Sequence, residues 1–267
     1  MEFDRVKVID SDIEKQIILT LNKIERDYNV KILHAVESGS RAWGFHSPNS
    51  DYDVRFFYVH KRDWYLDIYL GRDVIELPID KIYDVSGWDL KKALHLALKS
   101  NAVVMEWLNS PVIYKSDSVF SNDLKNFCFH SFEEKALIHH YINIGMRQID
   151  QSWRTSDKVK IKKYFYMIRP AMALMWLEQN AGKCNVPMNI QELMLELNLP
   201  SVIKSIVVDL IDKKFECEEK LEISRIQELD KFIMSEYEHS KKRVLALPKI
   251  DNLPVDKANS FFREWLI

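Results

Sequence analysis

Glycine and cysteine are both scarce in this chain. Six glycines among 267 residues argue against a glycine-rich β architecture and for many helices. The three cysteines, Cys128, Cys184 and Cys217, are far apart and odd in number. They form no CxxC pair and no Cys/His zinc spacing, so a disulfide scaffold and a structural zinc site are excluded. The expectation is buried free thiols in a reducing cytoplasm. No run of 18 apolar residues is present, so no segment is expected to span a membrane. The opening stretch MEFDRVKVIDSDIEKQ carries no apolar core of a secretion signal. Neither sign of charge dominates: 38 basic residues face 40 acidic ones for a formal net charge of −2. A globally basic coat for nucleic acid is thereby excluded, though a local basic patch is not.

Hydrophobic residues make up 47% of the chain and aromatics 12%, enough for a substantial core without staples. At about 150 residues per domain, the length predicts two domains. Residues 11–28 place Ile13, Ile17, Leu21 and Ile24 at helical period behind an Asp10 or Ser11 cap. Val30–Val36 and Val54–Val59 read as strands, and Arg72–Leu77 and Lys81–Val85 are two further strand candidates. Trp88–Lys99 reads as an amphipathic helix, with another from Val103 towards Pro111. From about Ser118 no strand is expected. Segments 132–153, 157–181, 189–197 and 222–246 read as helices, so a βαβ-like first half precedes a helical second half. No internal repeat or low-complexity tract is evident.

One stretch carries chemistry: Gly39-Ser40-Arg41-Ala42-Trp43-Gly44-Phe45-His46-Ser47-Pro48-Asn49-Ser50-Asp51-Tyr52-Asp53. Gly39 lets the backbone turn sharply after a strand and approach a ligand. Ser40 follows at the start of a short helix, where N–H groups and a hydroxyl favour an anion. Asp51 and Asp53 stand two apart as a strand begins. Such residues share a face, with Cα atoms roughly 6–7 Å apart, and a carboxylate pair suits one or two hard cations such as Mg²⁺. A phosphate cradle opposite such a pair is what phosphoryl or nucleotidyl transfer requires. Competing motifs fail. Gly44 is followed by Phe45-His46 rather than the Lys-Ser/Thr of a P-loop. Ser38-Gly39-Ser40 is no nucleophile elbow, and the ligands of an EF-hand are missing. The bland alternative is a polar turn held by Asx-type hydrogen bonds.

Gly-Ser, a further Gly, then Ser50-Asp51-Tyr52-Asp53 running into an apolar strand resembles the signature of the DNA polymerase beta nucleotidyltransferase superfamily. Asp84-Val85-Ser86-Gly87-Trp88-Asp89-Leu90-Lys91-Lys92-Ala93-Leu94, Ser100-Asn101, Glu106-Trp107-Leu108 and Ser110-Pro111 resemble one bacterial and phage branch linked to RNA repair. Lys162-Lys163-Tyr164-Phe165-Tyr166 with Arg169-Pro170 is similar to its helical half. The resemblance covers roughly residues 30–180. It implies an α+β fold: a small mixed-sheet nucleotidyltransferase domain with flanking helices over 1–118, then a helical nucleotide- and acceptor-binding domain over 119–267. It implies that Gly39 and Ser40 hold a nucleoside triphosphate. It also implies that Asp51, Asp53 and a third carboxylate on a neighbouring strand hold two Mg²⁺ ions, with Mn²⁺ as a substitute. Candidates for the third are Glu76, Asp80, Asp84 and Asp89. Asp84, at a strand end before Gly87, is favoured; Asp89 suits a helix N-terminus, and Asp80, after Pro78, a turn.

Arg41 would pair with phosphate oxygens, and Ser50 is counted with the nucleotide-binding residues. Trp43, Phe45 and His46 read more simply as packing or loop residues. Lys162, Tyr166 and Arg169 fall on one helix face, and Pro170 is expected to kink that helix near Tyr166. Lys163 or Lys162, with Tyr166 and Arg169, would close on the triphosphate or base. Lys158, Lys160, Lys162 and Lys163 form a dense basic run, able to meet an RNA backbone. His139 and His140 read as structural. The expected reaction transfers a nucleoside monophosphate to an acceptor hydroxyl, favoured at an RNA end. The competing acceptor is a hydroxyl on a protein or small molecule, and a non-catalytic nucleotide-binding module is the third reading.

Overall fold

A computed structural model of the chain describes residues 9–69, 71–80, 82–153, 157–216, 221–248 and 253–267. Among these the order is α1 (Ser11–Tyr28), β1 (Val30–Ser38), α2 (Gly39–Trp43), β2 (Tyr52–His60), a 3-10 turn (Arg62–Leu66), β3 (Val74–Glu76), β4 (Tyr83–Asp89), α3 (Leu90–Leu98), α4 (Ala102–Leu108), β5 (Ile113–Ser116) and α5 (Ser118–Ser131). There follow α6 (Glu134–Ser152), β6 (Lys158–Lys160), α7 (Ile161–Gln179), α8 (Ile190–Glu196), α9 (Ser201–Glu216), β7 (Glu222–Ser224), α10 (Gln227–Ala246) and α11 (Val255–Glu264). The fold class is α+β. Among the described residues, no helix is long and apolar enough to cross a membrane.

Contacts divide the chain into two units. The first comprises residues 1–42, 51–132 and 251–267; the second comprises 43–50 and 133–250. The sequence places one cut at 118. The structure instead cuts at 132, returns the C-terminal helix to the first unit and assigns residues 43–50, the end of α2 and the loop after it, to the second. The reason is packing. Phe120 of α5 is fully buried beside Phe57 of β2, and Phe261 and Trp265 lie against it.

The first unit is built on a five-stranded sheet of order β3-β4-β2-β1-β5. Only β2 and β4 run parallel; the other pairs are antiparallel. The βαβ expectation therefore fails for β1 and β2. Five residues of α2 cannot carry a parallel crossover, which needs a dozen or more, whereas the connection 61–82 can. Alternation along β2 sends Val54, Phe56 and Tyr58 to one face, where they pack with Ile17, Leu21 and Ile24 of α1. Phe56 lies over Gly87, its register partner, so closely that a Cβ there would come within 2.1 Å of the ring. The opposite face carries Asp53, Arg55 and Phe57, and Phe57 packs against Trp107.

The second unit is helical, with α6 and α7 side by side against α10. It does contain strands: β6 and β7 form a two-stranded ribbon. These strands are three residues each, too short to show an alternating pattern, as β5 nearly is at four. Helices α5, α9 and α11 also lie outside the segments expected to be helical, although each is long enough to show a helical period. Cys128 and Cys184 are buried; Cys217 lies outside the described residues. Pro170 sits inside a helix that runs on to Gln179.

Candidate active site

β1 ends where Gly39 takes φ +61°. The turn is forced tight by what lies opposite. A Cβ built on Gly39 would stand 1.8 Å from Oδ2 of Asp53, so the carboxylate rests on the bare glycine. Strand pairing explains the approach, because Asp53 is the register partner of Ser38 across β1–β2. It is also the partner of Asp84 across β2–β4. Side chains in register on neighbouring strands share a face, so Asp53 and Asp84 stand side by side.

Arg55, two residues beyond Asp53, shares that face. Its Nη2 donates to Oδ1 of Asp53 at 3.1 Å and to Oδ2 of Asp84 at 2.7 Å. Its Nη1 donates to the carbonyls of Val54 at 3.1 Å and Asp84 at 2.7 Å. Behind Asp53 lies Glu37 of β1, fully buried. Its carboxyl accepts the Asp53 N–H at 3.0 Å and the Tyr114 hydroxyl at 2.5 Å. Burial pushes the Glu37 carboxyl up to about 7, against the lowering pull of the Tyr114 and Asp53 hydrogen bonds. Where β1 leaves the sheet at Gly39, this side chain supplies the Asp53 N–H with its acceptor.

The four candidates for a third carboxylate are now placed. Asp84 stands beside Asp53. Asp89 caps α3, accepting the Lys91 N–H at 2.8 Å and the Tyr65 hydroxyl at 2.6 Å, with burial raising its pKa. Asp80 accepts the N–H groups of Ile82 and Tyr83 in a turn, and Glu76 makes an exposed ion pair with Arg72. Asp51 is exposed. Among the described residues, no three His, Cys, Asp or Glu side chains converge as a metal cluster; Asp51 is not gathered with Asp53 and Asp84. Two hard oxygen donors beside a glycine turn nevertheless fit Mg²⁺ in ligand type, since that ion keeps several waters and shares substrate phosphates.

Ser40 and Arg41 are buried in α2. Arg41 Nε donates to the Asp51 carbonyl at 3.2 Å, and its guanidinium lies 3.9 Å from the Tyr52 ring centre. Arg41 thus ties the glycine-serine turn to the residue that opens β2. The Ser50 hydroxyl accepts the Ser47 N–H at 3.0 Å and closes a turn.

In the second unit, residues 43–50 are bedded in aromatic and polar contacts. Phe45 stacks on Phe165 at 4.4 Å, and Trp43 meets Tyr166 edge-on at 5.7 Å. The Arg169 guanidinium lies 5.1 Å from the Trp43 ring, while its Nε donates to the Met188 carbonyl at 2.8 Å. Gly44, at φ +84°, leaves room for the buried Asn189 side chain. Lys214 of α9, fully buried, donates to Ser47 Oγ at 3.2 Å. Lys162 lies over the Tyr166 ring at 5.8 Å, so the expected shared face of Lys162, Tyr166 and Arg169 is present, and Trp43 covers part of it. Lys163 faces elsewhere and donates to Gln148 at 2.8 Å. His46 is buried edge-on to Phe215.

The sequence reading missed Arg55, Glu37, Tyr114 and Lys214. Strand parity two residues past Asp53 would have found Arg55, and a lone carboxylate ending the apolar run VKILHAV marks Glu37. Tyr114 and Lys214 meet their partners across 77 and 167 residues and leave no local signal.

Residues 13–264 match the family model of RlaP, the RNA repair pathway DNA polymerase beta family. The chain is 42% identical over 225 residues to the uncharacterized protein YcgL of Bacillus subtilis (strain 168), covering 84% of this chain and 85% of that one. A nucleotidyltransferase-like protein from Exiguobacterium sibiricum 255-15 aligns in structure over 93% of this chain and 79% of its own, at 11% identity and a TM-score of 0.28. With a match over nearly its whole length, the chain belongs to the RNA repair pathway DNA polymerase beta family, which supports a nucleotidyltransferase of the polymerase beta type.

Proposed function

We infer that the protein transfers a nucleoside monophosphate from a nucleoside triphosphate to the hydroxyl of an RNA end, releasing pyrophosphate. The observation that carries this reading is the Asp53 carboxylate lying on Gly39 with Asp84 in register beside it. Asp53 and Asp84 are the residues that would hold a divalent cation. When bound, that cation supplies Lewis-acid activation of the attacking hydroxyl and neutralises charge on the departing pyrophosphate.

The chain's own groups do the rest by positioning and electrostatics. Gly39, lacking a side chain, lets the Asp53 carboxylate lie against the turn, and the Ser40 hydroxyl grips the triphosphate. Arg41 adds positive charge there while fixing Asp51. In the helical unit Lys162, Lys163, Tyr166 and Arg169 contribute to nucleotide binding, and exposed Lys158 and Lys160 meet the RNA backbone. The acceptor oxygen attacks the α-phosphorus, the bridging bond to the β-phosphate breaks, and the hydroxyl proton leaves to solvent.

The test is incubation with each α-labelled nucleoside triphosphate and Mg²⁺ in the presence of RNA, DNA or protein. Label appearing on RNA and lost in Asp53→Asn supports the reading. Label on protein or a small molecule instead replaces the acceptor, and no labelled product in any arm removes the catalytic reading.

A further inference from the structure

The reading of Asp53 and Asp84 as cation ligands leaves one group without a task. Arg55 places a fixed positive charge against the carboxylates that would receive a metal ion. Two roles are open to such a guanidinium. It would be a counter-ion that leaves when the metal arrives, or a resident clamp that orients the ligands. The hydrogen bonds decide between them.

A guanidinium has two N–H groups on each terminal nitrogen. Arg55 Nη1 spends its pair on main-chain carbonyls, of Val54 and Asp84. Those acceptors belong to the sheet and do not move when a cation binds. Nη2 spends its pair on one oxygen of each aspartate, Oδ1 of Asp53 and Oδ2 of Asp84. All four terminal N–H groups are engaged, and the arginine side chain is only 18% exposed. Leaving would strand the two main-chain carbonyls that Nη1 now serves. The carboxylates use different oxygens for different neighbours. Asp53 turns Oδ1 to Arg55, while Oδ2 rests over Gly39 at the turn. Without the clamp, two like charges in register repel and the side chains regain rotamer freedom.

The geometry points to Arg55 as a positioning residue. It holds one oxygen of Asp53 and one of Asp84 and thereby presents the carboxylate pair to a divalent cation at the Gly39 turn. The proposal rests on the metal reading of the preceding subsection, and the experiment separates the two. Mn²⁺ is titrated by electron paramagnetic resonance into the full-length protein without nucleotide, for wild type, Asp53→Asn, Arg55→Lys and Arg55→Met. Thermal unfolding identifies any variant that fails to fold, and crystal structures of the Arg55 variants locate both carboxylates.

The metal reading requires that wild type take up Mn²⁺ and that Asp53→Asn lose it. The clamp requires that Arg55→Lys and Arg55→Met each weaken Mn²⁺ by about 10- to 100-fold, the range for partners that orient metal ligands, with the carboxylates moved apart. Arg55→Lys matters because it keeps the charge and loses only the fork. A mere electrostatic opponent of the cation would bind Mn²⁺ more tightly in Arg55→Met. That result, or unchanged affinity in both variants with the carboxylates in place, overturns the clamp and leaves the metal reading standing. Mn²⁺ uptake that Asp53→Asn does not alter overturns the metal reading, and the clamp with it.

Discussion

The stretch from Gly39 to Asp53 is continuous in sequence and divided in structure. Its two ends belong to the sheet unit, where Gly39, Asp53, Asp84 and Arg55 are placed by strand register and main-chain hydrogen bonds. Its middle, residues 43–50, belongs to the helical unit, where Trp43, Phe45 and Ser47 are placed by ring contacts with α7 and by the buried Lys214. The ends are fixed by backbone geometry, which tolerates almost no change of side chain at Gly39. The middle is fixed by packing, which should tolerate volume-conserving change. A motif that looks like one functional loop is thus two mechanical parts joined by covalent bonds.

The comparison is broken most severely at the sheet end. Asp53→Asn keeps the side-chain volume, so the fold should persist by circular dichroism while nucleotidyl transfer falls by orders of magnitude. Equal turnover would remove Asp53 from the chemistry. Gly39→Ala should cost both stability and activity, since the new methyl would meet the Asp53 carboxylate and φ +61° disfavours any side chain. A Gly39→Ala protein with wild-type melting and rate would show that the contact is not tight.

At the packed middle, Phe165→Ala should lower stability by about 3–5 kcal/mol, whereas Phe165→Leu should recover most of it, as read by denaturant unfolding. If Phe165→Leu were as damaging as Phe165→Ala, the ring stack with Phe45 would be doing more than filling space.

Glu37 sharpens the contrast through pH. Its folded carboxyl holds the proton up to about pH 7, while the unfolded chain releases it near 4.5. Between those values unfolding releases a proton, so this group's contribution to stability falls as pH rises, by up to about 3 kcal/mol, and the loss is complete above 7. The isosteric Glu37→Gln should flatten that slope, measured as the stability difference from wild type at pH 5 and pH 8. A parallel pair of profiles would place the titration elsewhere. Smallest of all, Lys163→Met should change stability by under about 1 kcal/mol, with its effect confined to KM for the nucleotide. No change in KM would take Lys163 out of the binding set.

Much of the sheet end was legible because it is local chemistry. A small residue after an apolar strand, acids two apart and a strand following them are patterns of a few residues, and the helical period of α1 is of the same kind. The acid that neighbours Asp53 was legible only as a choice of four. Parallel pairing of β2 with β4 puts Asp84 in register with Asp53, and the other three acids are spent on a cap, a turn and an ion pair. The short strands β5, β6 and β7 carried too few residues to show a period.

The sequence by itself determined the residue types that can hold phosphate and a hard cation, and the order in which the chain offers them. Which carboxylates stand together, that an arginine grips both, and that the loop between turn and strand is anchored to distant helices were decided by tertiary structure. The physical reason is that register, burial and ion pairing join residues dozens of positions apart, and no local pattern encodes such a meeting.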